Sequence, residues 1–305
     1  MFLNTFMSIF ALFIFMISGY FSGKKGYIDD KINEGINKIV LNITFPCSIL
    51  SSFKKEYNSI EIYRDILILF IIFVIFKSFC LILALTLFKE KKDVHHSSDR
   101  FSAVFSNTNY MGMPITKAIF GDKAVIFTSI YVVFSSTLNN TLGILFFKGK
   151  ADFKGLIYLF LKPAIIAAFI GMILFSFKID LPIILKNSIG TLGPMTTTLS
   201  FMSIGYVLSK SNFNKLFNEY RVYFICGLRL IIIPLCAYFI FNFFIKATLL
   251  FNTFVIIESM PVAAVSITYS SLYKPKDLEY MSKVVFLSTL ISLLTIPIIA
   301  TMISK

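Results

Sequence analysis

Tryptophan is absent from this chain of 305 residues, histidine occurs twice and cysteine four times. Each shortage closes off a class of chemistry. Cys47, Cys80, Cys226 and Cys236 all fall inside apolar stretches, where a thiol reads as a small core residue. They form neither a disulfide framework nor a metal-ligand spacing. His95 and His96 are neighbours in the loop after the third apolar stretch, a poor arrangement for a metal and one that reads as solvated. Of 16 acidic residues, only Glu258 lies well inside an apolar stretch. An intramembrane hydrolase would need paired aspartates, a Ser–His arrangement or a zinc motif, so neither catalytic residues nor a metal site are expected.

Charge is scarce as well. Charged residues make up 15% of the chain and hydrophobic ones 57%, with 36 Phe; soluble domains carry about 25% charged residues. Several stretches of about 20 residues lack charge, the length that crosses a bilayer core of roughly 30 Å. The opening "MFLNTFMSIFALFIFMISGYF" has no basic n-region and no small-x-small cleavage site, and its apolar run is too long for a signal peptide. It therefore counts as the first span of a multi-pass membrane protein.

What is present is ten apolar segments, at about 2–22, 36–53, 62–88, 99–119, 123–147, 155–177, 188–208, 219–245, 249–272 and 280–302. Backbone groups in lipid must be satisfied within a segment or a closed barrel, and these segments are too long for barrel strands. The expected fold class is all-α and polytopic, with ten transmembrane helices.

The formal charge of +13 does not point to nucleic acid, because the basic residues sit in short loops between apolar spans. Loops after odd-numbered spans hold 17 of the 29 Lys and Arg, while the other side, tails included, holds 9. That excess predicts a plasma (inner) membrane protein with both termini outside the cytoplasm. Lys77, Lys162 and Arg229 complete the total from within spans. Lys162 precedes Pro163 near a span end and reads as a snorkelling chain.

A weak internal repeat runs through the prolines. Pro46 and Pro194 are 148 residues apart, and Pro114 and Pro261 are 147 apart. The chain therefore divides into five-span halves at 1–148 and 149–305. A unit with an odd number of spans is inverted when repeated, and inverted repeats are characteristic of secondary transporters.

Two spans carry polar breaks. In "FSNTNYMGMPI", Pro114 cannot donate to the helical ladder, Gly112 loosens the same turn, and Ser106, Asn107, Thr108 and Asn109 bring polar side chains. In "VIIESMPVAAVSITYS", Glu258 and Ser259 precede Pro261. Matched interruptions mark a transporter's binding site: each exposes a positive helix N-terminus and free carbonyls. The expected broken, crossing helices are the fourth and ninth.

"NTNYMGMPITKAIFG" resembles the signature of the auxin efflux carrier family, which includes plant PIN carriers and bacterial malate-permease-like proteins. "NKIVLNITFPCSILSSF", "RLIIIP" and "MPVAAVSITYSSLY" add weaker matches, and the likeness extends over all ten spans. The long cytoplasmic loop of plant carriers is replaced by the short linker Ser209 to Asn218. The resemblance implies a bile-acid-symporter-like fold. A scaffold of helices at about 2–53 and 155–208 would support a mobile core of helices at about 62–147 and 219–302, moving like an elevator. It further implies that Asn107 and Pro114 are crossover residues of the first half and Pro261 that of the second. The implied substrate is a small organic anion, an auxin-like or other carboxylate. A sodium-coupled bile-acid-type or dicarboxylate symporter is the alternative, and a homodimer is expected from the family alone.

Glu258 is costly inside a membrane unless paired or protonated. It either serves a coupling Na⁺ or H⁺ or pairs structurally with Lys77 or Arg229, and these cations could alternatively meet a substrate carboxylate. Asn42 and Thr44, just ahead of Pro46, are expected on the cavity wall. Thr196, Thr197, Thr198 and Ser200 read as packing residues that bond back to their own helix. The lack of Trp and the scarcity of intramembrane cations hint at a monovalent anion. Beyond a possible coupling ion, no cofactor is expected; the partners are the substrate anion and membrane lipid. A channel would need a continuous polar stripe, which the spans lack, and a seven-helix receptor does not fit ten spans.

Overall fold

The computed structural model describes residues 2–53, 59–89, 94–149, 161–210, 219–245 and 248–303. Each of the ten apolar segments is helical over most of its described residues. α1 spans Phe2–Lys24. α2 begins earlier than hydropathy suggests, because Asp29 caps it by accepting from the Ile32 N–H at 2.7 Å. It runs as Asp30–Ile39, a wide turn Val40–Thr44 and Phe45–Ser52. α3 is Ser59–Leu87. The fourth segment divides into α4, His96–Val104, and α5, a wide turn Thr108–Gly112 that continues into Met113–Phe120. α6 covers Asp122–Lys148, α7 Pro163–Ser176, α8 Ile183–Ser209 and α9 Tyr220–Asn242. The ninth segment divides into α10, Leu249–Glu258, and α11, Val265–Tyr273; α12, Leu278–Ile303, ends the fold. Among the described residues there is no β-strand, only an isolated antiparallel bridge between Ser106 and Val262.

Three wide turns share one cause. Val40–Thr44, Thr108–Gly112 and Leu228–Ile232 each end two residues before a proline, at Pro46, Pro114 and Pro234. Proline has no N–H to donate, and its ring clashes with the carbonyl four residues back. A turn bonded over five residues moves that carbonyl aside, so the helix continues. Pro114 therefore does not break its helix; the interruption falls earlier, between Val104 and Thr108. A fourth wide turn, Asn139–Gly143, has no proline behind it.

Four described helices are long and apolar enough to cross a membrane: Ile60–Leu87, Asp122–Lys148, Tyr220–Asn242 and Pro275–Ile303. α3 turns Leu67, Phe70, Ile71, Ile75 and Ile82 outward, an apolar face suited to lipid. Inside, small residues let backbones meet. Gly19 on α1 abuts the Met202 backbone, Gly205 on α8 abuts the Met16 carbonyl, and a Cβ at either would overlap main chain. Gly193 lies against the Ser48 backbone, where α8 meets α2. With Gly171 of α7 against Phe53, helices α1, α2, α7 and α8 form one packed group.

Candidate functional site

The two broken segments cross at three residues each. Asn107 N–H donates to the Pro261 carbonyl at 2.8 Å, and Ala263 N–H donates to the Phe105 carbonyl at 3.2 Å. The local causes differ. Ser106, Asn107 and Thr108 compete for backbone bonds: Thr108 N–H goes to the Ser106 carbonyl at 2.8 Å, and the Ser106 and Thr108 hydroxyls meet at 3.0 Å. In the other segment Pro261 cannot continue a helix, and it disfavours helical geometry at Met260. Two helix C-termini, of α4 and α10, and two N-termini, of α5 and α11, therefore converge.

The C-terminal carbonyls lose their usual donors. In an unbroken helix, Ala103 and Val104 would be served by the Asn107 and Thr108 amides, which instead turn to Pro261 and Ser106. The Val262 amide that would serve Glu258 reaches Ser288 Oγ at 3.3 Å. Two buried cations replace the missing amides. Lys77 Nζ donates to the Val104 carbonyl at 2.8 Å. Arg229 donates to the carbonyls of Ala103 at 3.3 Å, Glu258 at 2.8 Å and Met260 at 3.2 Å. The Glu258 carboxylate completes the cluster, accepting from Lys77 at 3.0 Å, from Arg229 at 3.1 Å and from the Tyr131 hydroxyl. Glu258 and Arg229 are wholly shielded and Lys77 is 3% exposed. The pairing of Glu258 with both Lys77 and Arg229 is thus realised in the structure, with cations seated at helix C-termini where they are favoured.

The N-termini face a cavity of about 530 Å³, within the range of small-molecule sites. One wall comes from α2 and α8, with Lys162, Pro163 and Ala164 at the start of α7; the other comes from α5, α6, α11 and α12. Seven asparagines line it: Asn33, Asn37, Asn42, Asn107, Asn109, Asn139 and Asn140. Phe45, Tyr110, Val132 and Ile204 supply apolar surface between them. The buried side chains of Asn107, Asn139 and Asn33 each hold a polar atom with no partner among the described residues, namely Nδ2, Oδ1 and Oδ1. Orphaned amides in a concave wall are groups awaiting a ligand or water. Lys38 is tied to Glu34 at 2.7 Å, whereas Lys162 has no ion pair among the described residues.

The predicted site residues separate into two sets. Asn107, Asn109 and Asn42 line the cavity. Thr108, Pro114, Ser259, Pro261 and Thr44 are buried outside its wall, as are Glu258, Lys77 and Arg229. Pro261 belongs to the crossing through its carbonyl, and Ser259 caps α10 by returning its hydroxyl to the Ile256 carbonyl at 2.7 Å. Pro114 lies inside α5, eight residues beyond the bridge residue Ser106, and so is not a crossover residue.

Sequence reasoning passed over Asn139, Asn140, Asn33 and Asn37, and read Lys162, which the structure places in the cavity wall, as a snorkelling chain. Asn139 carried a usable signal, since a polar pair followed by Gly143 in an apolar span is the composition of a widened turn. The structure also corrects His95, whose Nδ1 lies 2.5 Å from Asp277 and whose ring stacks on Tyr280 at 4.1 Å. Beside it, the buried Asp99 accepts from Arg221 Nε at 2.7 Å and from the Tyr280 hydroxyl at 2.5 Å.

Comparison with known proteins finds similarity along nearly the whole chain. The membrane transport protein family matches residues 4–154 and 150–300. An uncharacterized transporter of Methanocaldococcus jannaschii is 26% identical over 302 residues, covering 94% of this chain and 95% of the relative. Another, from Methanothermobacter thermautotrophicus, is 23% identical over 309 residues, covering 97% of this chain and 98% of the relative.

Proposed function

The chain belongs to the membrane transport protein family, the auxin-efflux-carrier-like group whose motifs it carries, and we propose that it is a secondary carrier of small organic anions. One observation carries this reading. The crossing turns its two helix N-termini and the orphaned Asn107 amide toward a cavity, while its C-termini are sealed by Lys77 and Arg229 away from that cavity. Each helix N-terminus bears about half a positive charge and favours an anion. Amide N–H groups and the Lys162 ammonium suit a carboxylate, and the apolar wall suits a small organic body. With Lys38 neutralised by Glu34, Lys162 is left as the one cavity cation without an ion pair among the described residues, which favours a monovalent acid.

The proposed mechanism is alternating access. α1, α2, α7 and α8 act as a scaffold, and the crossing helices with α3, α6, α9 and α12 act as a moving core. Support for this division is the cavity's position between the two groups, which lets a sliding core carry the ligand across. The ten helices would then span the membrane as two inverted halves.

A thermal-shift screen of purified protein against monocarboxylates and dicarboxylates tests the ligand class. A ligand of the folded state raises the melting temperature by mass action. Monocarboxylates of indole or short-chain size should shift it and matched amines should not. A panel in which amines stabilise and no carboxylate does would refute the anion assignment.

A further inference from the structure

A side-chain amide is a donor at one end and an acceptor at the other, so its orientation decides what it can bind. Two of the cavity's asparagines are fixed in orientation by their own helices. Asn140 Nδ2 donates to the Ser136 carbonyl at 2.7 Å, and Asn42 Nδ2 donates to the Lys38 carbonyl at 2.8 Å. A carbonyl only accepts, so the end that meets it must be the NH₂ group, and the oxygen is left over. Neither oxygen has a hydrogen bond among the described residues. Asn140 belongs to the α6 wall of the cavity and Asn42 to the facing α2 wall. Asn42 is exposed and Asn140 half-buried, so the Asn140 oxygen has less access to bulk water.

Neighbouring hydroxyls on the cavity wall do not serve these oxygens. Ser136 Oγ donates to Asn109 Oδ1 at 3.5 Å, and Ser203 Oγ donates to Asn37 Oδ1 at 2.8 Å. Thr289 Oγ1 donates to the Val285 carbonyl at 2.7 Å. A carboxylate cannot serve them either, because in its ionised form it only accepts. An acid held by Asn107 and Lys162 therefore leaves the Asn140 lone pairs unanswered. Water meets such an oxygen, but a ligand that displaces the water loses affinity unless it replaces the bond.

We infer that Asn140 is a specificity-determining residue. It accepts a hydrogen bond from an O–H or N–H on the body of the substrate, so the cavity selects monocarboxylates that carry such a donor. Sites built to pair a polar group reject analogues that lack it, because a wall group is then left unpaired. The inference rests on the anion reading and adds a second recognition point to it.

The test measures binding in pairs of monocarboxylates that differ in one donor. Phenyllactate against phenylpropionate varies an O–H, and N-acetylglycine against N-acetylsarcosine varies an N–H. Apparent dissociation constants come from the concentration dependence of the melting temperature of the purified protein. In at least one pair the acid with the donor should bind about fivefold or more tightly than its partner. In Asn140→Leu, and in Asn140→Ala, that ratio should fall to near one. Acids that bind equally with and without the donor would overturn the inference and leave the anion reading standing. A ratio that persists in either folded variant would overturn it as well. A panel in which no carboxylate binds overturns the anion reading, and the inference falls with it. The wild-type pairs decide donor selection even if neither variant folds.

Discussion

Asn107 holds Pro261 through its main chain and leaves its side chain for the cavity: the N–H to carbonyl bond is 2.8 Å, and the amide nitrogen Nδ2 has no partner among the described residues. Truncating the side chain should therefore spare the crossing and remove the ligand contact. Asn107→Ala is expected to express and melt within a few degrees of wild type while uptake is abolished. Near-normal uptake would remove Asn107 from the site.

Asn139 and Lys162 extend the same logic to opposite walls. A hydrogen bond to a charged group contributes about 1.5–3 kcal/mol, roughly ten- to a hundredfold in affinity. Lys162→Met should weaken the carboxylate's thermal shift and uptake by at least that lower factor, and Lys162→Arg should restore part of it. Asn139→Leu should change which acids are preferred without changing the melting temperature of ligand-free protein by more than a few degrees. Equal affinities in all variants would mean that the ligand sits elsewhere.

Much of this arrangement was legible beforehand, and what was missed has physical causes. Span positions follow from apolar length, and the break at Pro261 from the geometry that proline imposes. Pro114 misled because proline interrupts a helix only where the ladder cannot widen, and the turn at Thr108–Gly112 widens. The proline pairing therefore displaced the crossing: the bridge joins Ser106 to Val262, not Pro114 to its partner. The ion cluster was legible in composition, as three charges in apolar spans, but not in arrangement. Which carbonyls need a cation depends on where two distant segments cross. Asn33 and Lys162 lie at helix starts, and Asn37 two turns into the polar first part of α2, where polar residues are ordinary, so only the folded cavity wall distinguishes them.

Helix packing gives a stability prediction independent of function. Gly205 meets the Met16 carbonyl so closely that any Cβ must push α1 and α8 apart. Overpacking of this kind costs about 1–3 kcal/mol or more, so Gly205→Val should lower the melting temperature by several degrees. Gly190, whose Cβ would meet nothing within 4 Å, is the control: Gly190→Ala should leave it unchanged. A drop in the control alone would contradict the described interface.

Acid should release a contact at the start of α2. The Lys210 ammonium, followed by the Tyr206 hydroxyl at 3.1 Å, holds the Asp30 carboxyl below its ordinary value. A depressed folded pKa means that the contribution is complete above the unfolded value, near 4, and is lost as pH falls through the folded one. Because the pair is exposed, it contributes less than about 1 kcal/mol. Asp30→Asn should therefore melt slightly lower than wild type between pH 5 and 7, with the two curves converging below pH 4. A gap that widens on acidification would contradict this pairing.

The central claim is that substrate rides in the amide-lined cavity of a moving core. The most direct measurement is counterflow in proteoliposomes, with labelled carboxylate outside and unlabelled carboxylate loaded inside. The account predicts that internal substrate accelerates labelled uptake, and that Asn107→Ala abolishes the acceleration. Uptake that is insensitive to internal substrate, or acceleration that survives in Asn107→Ala, would contradict it.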